Sequence, residues 1–386
     1  MSIRVGMVGV GAFAQAFIPL FKAHPLVDEI VLCDVDAKKL AANAAQWGVA
    51  RTCGSLDELC RMRDIDAAAI ITQNWLHAPQ AAQALEAGKH VYSAVPTGIT
   101  VEEIARLVET VARTGLVYAL GETSYYCPET LYCRRRFVEG AFGHVVYGEG
   151  EYHHDWDHGL YDVMKWRGGD RWRETAGSPP MHYPTHSTSM IVSVTGAHMT
   201  HVSCQGFVDR KDDGLYGRGA NIWDNPFSDE SALFRMSDGS ACRINEFRRI
   251  GHPSTVRMCL FGTEGSFEEN TVGAMWMTKD WDARERLDDF LRCGDLRTER
   301  GTYRDVTRLH PIERLPREFS GLSNGHSGSH QFLVDDFVRA CVEGTLPPNN
   351  VWAAARYAVP GIVAHESAMR GGELLEVPDF GDPPRR

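Results

Sequence analysis

Ile3-Arg4-Val5-Gly6-Met7-Val8-Gly9-Val10-Gly11-Ala12-Phe13-Ala14 is the stretch that decides the fold. Its first six residues read as a buried strand, and Gly9, Gly11 and Ala14 give a G-x-G-x-x-A turn that opens a helix. In such a turn the first Gly permits the bend and the second lets main chain approach a pyrophosphate. The small third residue lets helix and strand pack closely. Free N–H groups at the helix start face the phosphates. Gly9, Gly11, Ala12, Phe13 and Ala14 are therefore the expected phosphate loop. A second apolar run, Ile30–Cys33, ends in Asp34, 23 residues after Gly11. That is close to the ~20 expected for an acid on the ribose hydroxyls. A carboxylate there repels a 2′-phosphate, so the expected cofactor is NAD rather than NADP. A secretion signal competes for the same residues, with Arg4, an apolar stretch and Ala12-Phe13-Ala14 as a cleavage site. The three glycines inside the stretch favour the nucleotide loop.

Working outward, helix and strand alternate. Lys38–Trp47 reads as helix, Ala67–Ile71 as strand, Pro79–Ala87 as helix and His90–Ser93 as strand. Val101–Thr114 then reads as helix and Leu116–Leu120 as strand. Such βα alternation predicts a doubly wound parallel sheet, with its ligand at the carboxyl ends of the strands. Residues 72–77, 94–98 and 121–126 follow those strands. Beyond about Tyr125 the texture changes to longer strands: Val145–His153, Met199–Phe207, Ser231–Met236, Ala241–Phe247 and Thr255–Gly262. Turn signals such as Ser237-Asp238-Gly239-Ser240 separate some of them. The expected fold is a doubly wound parallel sheet in residues 1–123, followed by an α+β domain in 124–386. That second domain carries a large open, mainly antiparallel sheet. Phe332–Val342 and Trp352–Met369 read as helices, with Pro360 kinking or interrupting the second. Helix 352–370 is expected near the domain junction, and the charged stretch 280–317 as a surface arm.

Composition narrows the function classes. At 386 residues the chain exceeds one ordinary core. A net charge of −11 without a basic tract argues against nucleic acid. The ten Cys form no C-x-x-C pair, which predicts reduced, cytoplasmic usage. No run of ~18 apolar residues predicts a membrane span.

Taken in order, several segments resemble the Gfo/Idh/MocA oxidoreductase family over essentially the whole chain. They are Val8 to Ala14, Thr72-Gln73-Asn74-Trp75-Leu76-His77, and Leu85-Glu86-Ala87-Gly88-Lys89-His90-Val91 leading into Val95-Pro96. The resemblance implies a Rossmann domain, an open-faced sheet domain, and nicotinamide lying between them. Thr72, Asn74, His77, Val95 and Pro96 would line the cofactor, and a homo-oligomer, dimer or tetramer, is implied. Two departures stand out. The family's dehydrogenases usually carry Glu-Lys-Pro where this chain has Ala94-Val95-Pro96, and that Lys touches the reacting hydroxyl. Their Asp-x-x-x-His is here His182-Tyr183-Pro184-Thr185-His186. The Tyr183-Pro184-Thr185-His186 segment instead resembles the NAD-dependent glycoside hydrolases of family 109, a branch with Val-Pro in place of Lys-Pro. That branch is also similar at Glu122, Tyr152 and Arg171-Trp172-Arg173. It has Glu before Val-Pro, where this chain has Ala94.

The branch implies a carbohydrate glycoside as substrate and a redox-neutral cycle. Oxidation at C3 acidifies the C2 proton. Elimination, water addition and re-reduction follow, with no net consumption of NAD. Two positioned proton acceptors are needed, each worth roughly 10² to 10⁴ in rate. No carboxylate pair of the usual glycosidase kind is needed. His186 is the expected base, because imidazole titrates near neutral pH. Tyr183, three residues earlier, shares its face if Pro184 begins a helix. His182 or Arg173 would lower the Tyr183 phenol electrostatically. Glu122 and Tyr152 would orient sugar hydroxyls or serve at C2. Trp156, Trp166, Trp172 and Trp223 are candidate stacking rings.

The bland readings are a packed His186, core Tyr152 and Tyr183, and surface ion pairs for Arg171 and Arg173. His182 with His186, and the run His153, His154, Asp155, His158, raise a metal reading. Zinc needs three or four converging ligands, and none is expected here. The competing functions are a sugar or cyclitol dehydrogenase with net NAD turnover, and a non-catalytic nucleotide-binding subunit.

Overall fold

The computed structural model describes residues 2–384. The chain forms two compact units. The first comprises the stretch up to Leu131, Phe290–Ala355 and the stretch from Phe380 on. The second comprises Tyr132–Asp289 and Arg356–Asp379.

In the first unit six strands form one sheet: β1 (Ile3–Val8), β2 (Val27–Cys33), β3 (Thr52–Cys53), β4 (Ala67–Ile70), β5 (His90–Ser93) and β6 (Tyr118–Leu120). Their order is β3-β2-β1-β4-β5-β6 and every pairing is parallel. The order reverses between β1 and β4, where a doubly wound sheet opens its ligand crevice. The connecting helices are α1 (Ile18–Ala23), α2 (Ala37–Trp47), α3 (Leu56–Arg61), α4 (His77–Glu86) and α5 (Val101–Thr114). Asp36, Ser55 and Thr100 cap α2, α3 and α5 by accepting main-chain N–H bonds. One local difference from the expected glycine-turn helix appears: a 3₁₀ turn, Phe13–Ala16, precedes α1. Pro19 has no N–H to donate back to Gln15, so a regular ladder cannot run from the loop through it.

Next come α6 (Pro128–Val138), β7 (Val145–His153), α7 (Leu160–Gly168), α8 (Trp172–Ala176) and α9 (Thr185–Thr195). The strands β8 (Met199–Val208), β9 (Phe227–Met236), β10 (Ala241–Phe247), β11 (Thr255–Gly262), β12 (Gly265–Glu269), β13 (Ala274–Thr278) and β14 (Glu285–Arg286) follow. After α10 (Asp288–Leu291) come the hairpin β15 (Gly294–Thr298) and β16 (Gly301–Val306), then α11 (Gly325–Glu343), α12 (Val351–Met369) and β17 (Leu375–Glu376). Nine strands make the sheet of the second unit, in the order β14-β13-β12-β11-β7-β10-β9-β8-β17. Only the β7–β10 pair is parallel among its pairings.

Two expectations are corrected here. The charged stretch 280–317 is not a surface arm throughout. Tyr303, Val306, Ile312 and Leu315 are buried in one core with Phe17 and Phe21 of the first unit and Phe332 and Phe337 of α11. Their charged neighbours are anchored: Arg300 Nη2 donates to the Leu315 carbonyl at 2.8 Å and Arg314 Nη1 to Asp336 at 2.6 Å. A single boundary at 123/124 is therefore replaced by an interleaved division. The helix expected at 352–370 runs through Pro360 without an assigned break and is divided between the units after Ala355.

Candidate functional site

The nucleotide half is built mainly from main chain. Gly9 has φ +86°, and a Cβ on it would stand 2.2 Å from the Ile71 carbonyl oxygen. The ends of β1 and β4 thus meet at a point where only glycine fits. Ala14 is fully buried, Phe13 is half-buried edge-on to Phe17 at 5.1 Å, and Gly11 and Ala12 complete the loop. Asp34, just past β2, accepts the Val10 N–H at 2.9 Å through Oδ2 and the Asp36 N–H at 2.9 Å through Oδ1. Its carboxylate is thereby stationed beside the glycine loop. This cradle and this acid fit NAD.

The loops after β4 and β5 are tied together by His77. Its buried ring lies 3.1 Å from the Thr72 carbonyl through Nε2 and 2.8 Å from the Pro96 carbonyl through Nδ1. His77 thus sits between the two loops, and a neutral ring donates to one of these two carbonyls. Thr72 Oγ1 donates to Gln80 at 2.6 Å, and Asn74 opens the 3₁₀ turn Asn74–Leu76. The Val95–Pro96 peptide is cis, and Val95 is only 5% exposed. The position where family dehydrogenases carry Lys is thus apolar and buried. Glu122, fully buried after β6, caps the 3₁₀ turn Thr123–Tyr126 by accepting the Ser124 N–H at 2.8 Å.

In the second unit, side chains gather beside α9. On β7 the alternate positions Gly148, Gly150 and Tyr152 share one face. A Cβ on Gly150 would stand 2.4 Å from the Ser187 carbonyl oxygen, so α9 lies directly on the strand. That close approach sets His186, 6% exposed in the first turn of α9, beside Tyr152. Pro184 occupies the N-cap position, and Tyr183 precedes it. The His186 ring lies 5.4 Å from both Tyr183 and Tyr152, and the two Tyr rings are 6.1 Å apart. Tyr152 Oη contacts His154 Nδ1 at 2.7 Å. Burial, then the neighbouring Tyr183, push the Tyr152 phenol up, partly opposed by Arg248. Burial and the fields of Arg248 and Arg167 lower His154 to about 4, so it is neutral at pH 7.

The cations expected to act on Tyr183 are different ones. His182 faces His365, ring to ring at 5.2 Å, and burial lowers it to about 3. It carries no charge near neutral pH. Arg173 is exposed, donates to the Asp213 carbonyl at 2.9 Å and stacks on Trp172 at 4.7 Å. The guanidinium of Arg167 takes the place over the Tyr183 ring, at 5.8 Å, and that of Arg248 lies 4.9 Å from the Tyr152 ring. Arg171 pairs with Glu174 at the surface. Of the four Trp, Trp156 is core, packed against Tyr161 at 4.7 Å, and Trp166 is 43% exposed.

Arg167, Arg248 and Glu246 escaped the sequence reading as site residues, and His154 entered it only within the His-rich run 153–158. A signal for two of them was present. On β10 the core-facing parity runs Cys242, Ile244, Glu246, and a carboxylate there demands a buried partner. Arg248, two residues on, is that partner, at 2.8 Å. Among the described residues no group of three or more His, Cys, Asp or Glu is arranged to hold a metal, and no helix is long and apolar enough to cross a membrane.

Comparisons with known proteins agree with this fold. Residues 3–122 match the oxidoreductase family with an NAD-binding Rossmann fold, Gfo/Idh/MocA. A glycosyl hydrolase family 109 protein of Saccharopolyspora erythraea is 25% identical over 404 residues, covering 98% of this chain and 83% of that relative. Glycosyl hydrolase family 109 protein 1 of Shewanella sp. (strain MR-4) is 30% identical over 409 residues, covering 98% and 85%. A solved structure of levoglucosan dehydrogenase in complex with NADH and levoglucosan shares the fold, with a TM-score of 0.77 at 20% identity. It covers 98% of this chain and all of that one. A parallel sheet with this glycine loop, followed by the nine-stranded sheet, defines an NAD-dependent enzyme. The chain belongs to the Gfo/Idh/MocA oxidoreductase family and is similar along its length to glycosyl hydrolase family 109 proteins.

Proposed function

We propose that this protein is an NAD-dependent, redox-neutral glycosidase. It acts by C3 oxidation, C2 deprotonation with elimination, water addition and re-reduction. The observations that carry the reading are an apolar residue at the Lys position of the dehydrogenases in the first unit and a cluster of proton-transfer groups within the second. The Lys position of the dehydrogenases is Val95, apolar and buried, whereas His186, Tyr183 and Tyr152 stand ring to ring in the second unit. Gly9, Gly11, Ala12, Phe13, Ala14 and Asp34 would hold NAD, which supplies reversible hydride acceptance at a sugar carbon. His186 takes the proton of the reacting hydroxyl and returns it, as an imidazole near neutrality can. Tyr183, beneath Arg167, is the second proton acceptor, because a nearby cation favours the phenolate. Tyr152, fixed by His154, orients a sugar hydroxyl.

The substrate is a small carbohydrate glycoside, and the working form is a homo-oligomer. Phe207 and Leu233, 49% and 55% exposed on the nine-stranded sheet, support a contact between copies there. A panel of p-nitrophenyl α- and β-glycosides tests the activity, with nitrophenol and NADH absorbance followed together. The expected result is nitrophenol without net NADH. Stoichiometric NADH with an intact glycosidic bond would make the protein a dehydrogenase. NAD binding with neither product would leave a nucleotide-binding subunit.

A further inference from the structure

Behind His186 lies a buried acid that the proposed reaction leaves unused. Glu246 is fully buried on β10, opposite Tyr152 of β7 and Glu230 of β9. Its Oε2 accepts Arg248 Nη2 at 2.8 Å, and its Oε1 contacts the hydroxyl of Ser187, the residue after His186. The Arg248 guanidinium also donates to the carbonyls of Tyr152, Phe247 and Pro180, at 3.3, 3.1 and 3.4 Å. It thereby bolts the strand that carries Tyr152 to the turn that leads to Tyr183.

The hydroxyl of Ser187 has one hydrogen and two acceptors in reach: Glu246 Oε1, and the Pro184 carbonyl at 2.9 Å. That carbonyl also receives the N–H groups of Ser187 and Thr188, at 3.0 and 2.9 Å, so it does not depend on the hydroxyl. With Glu246 ionised, the Ser187 hydroxyl donates to it. With Glu246 protonated, the acid donates to Ser187 Oγ, and the hydroxyl turns to the Pro184 carbonyl. Both protonation states leave these buried atoms satisfied without moving a heavy atom.

We propose that Glu246 is a positioning residue for His186: a buried acid that exchanges a proton in place, with the Ser187 hydroxyl as the rotor that serves both states, and so sets the charge seen by the imidazole. The proposal rests on His186 as the proton-transfer group.

Burial raises Glu246 to about 7, against the opposing pull of Arg248, the Ser187 hydrogen bond and His186. The influence of His186 on Glu246 is matched by an equal influence of Glu246 on His186. Other groups face this centre. Tyr152 and His154 come from β7 and its end, Tyr183 from the turn before α9, and Arg167 from α7. Glu230 comes from β9, already held by the Met181 N–H at 2.9 Å and by His365 of α12 at 2.7 Å. Of the two facing carboxylates, only Glu246 has a hydroxyl rotor against it.

The test is a ¹H–¹³C NMR titration of the His186 ring in the full-length protein, assigned with a His186→Asn variant. It is repeated in Glu246→Gln, Glu246→Asp and Ser187→Ala. The expected result in Glu246→Gln is proton affinity at His186 about tenfold weaker, one pH unit lower. Glu246→Asp, which keeps the charge, should restore most of it. Ser187→Ala should shift His186 in the same direction as Glu246→Gln, because it removes the donor to the ionised acid. An unchanged His186 curve in Glu246→Gln, with a native circular dichroism spectrum, would overturn the proposal. If Glu246→Gln does not fold, an unchanged curve in Ser187→Ala would do the same. The titration needs no turnover. Absence of glycosidase activity with the coupling present would therefore defeat only the functional reading, and active enzyme without the coupling only this proposal.

Discussion

Around Gly9 the molecule offers main chain: a positive φ, a carbonyl 2.2 Å from where a Cβ would stand, and N–H groups fixed by a carboxylate. Around His186 it offers side chains: two phenols, two guanidinium groups and a buried acid, drawn from α7, β7, β10 and the turn before α9. The first half is specified by residue type at fixed local spacing. The second is specified by packing, since α9 reaches β7 only because Gly148 and Gly150 leave room. The nucleotide loop is thus a short motif, whereas the proposed proton-transfer cluster draws on elements far apart in the chain.

Substitutions can separate the halves. The largest expected effect is on turnover. His186→Ala should lower kcat by roughly 10² to 10⁴, while calorimetric NAD affinity stays within about twofold, because phosphate binding belongs to the glycine loop. A comparable loss of NAD affinity would break the comparison. Gly9→Ala should do the reverse of His186→Ala. The backbone strain alone is of order 1–3 kcal/mol, and NAD affinity should fall by more than tenfold by the same titration.

Arg248→Met should cost about 3–5 kcal/mol in urea unfolding, because it leaves Glu246 buried without its cation. The double variant with Glu246→Gln should recover part of that loss, as an apolar or neutral replacement of both partners does. Failure to recover would mean that the main-chain bonds of Arg248, not the charge pair, hold the cluster.

Acid should weaken the second unit through His182. Its folded value of about 3 lies below the ordinary 6.5, so the unfolded chain binds the proton first. Stability is therefore full above pH 6.5 and declines as pH falls from 6.5 towards 3. His182→Gln should flatten the fall in Tm over that range. An unchanged slope would show that His182 is charged in the fold. The smallest effect is expected at Arg173, exposed and bonded to a loop carbonyl: Arg173→Ala should change stability by no more than about 0.5 kcal/mol.

Legibility in the sequence followed the same division. Strands β1, β2, β4 and β5 are short apolar runs whose ends carry turn chemistry, so the doubly wound sheet was readable from pattern alone. The open sheet was readable as longer strands over Val145–His153, Ala241–Phe247 and Thr255–Gly262, some of them separated by turn signals. What pattern could not give was the return of Phe290–Ala355 to the first unit, because charge dominates that stretch while Tyr303, Ile312 and Leu315 are buried. In the site, the register of Tyr183 and His186 was local. The cations were not, since Arg167 and Arg248 reach the cluster from α7 and the end of β10. Proximity in sequence pointed instead to His182 and Arg173, whose side chains turn to His365 and to the Asp213 carbonyl.

The central claim is that this enzyme cleaves a glycoside by way of an acidified C2 proton. Its most direct test is hydrolysis of a reactive p-nitrophenyl glycoside in deuterated buffer, with the product sugar analysed by NMR and mass spectrometry. The account predicts deuterium at C2 of the released sugar with no net NADH. A released sugar without deuterium at C2, or a ketosugar with its glycosidic bond intact and NADH in equal amount, would contradict it.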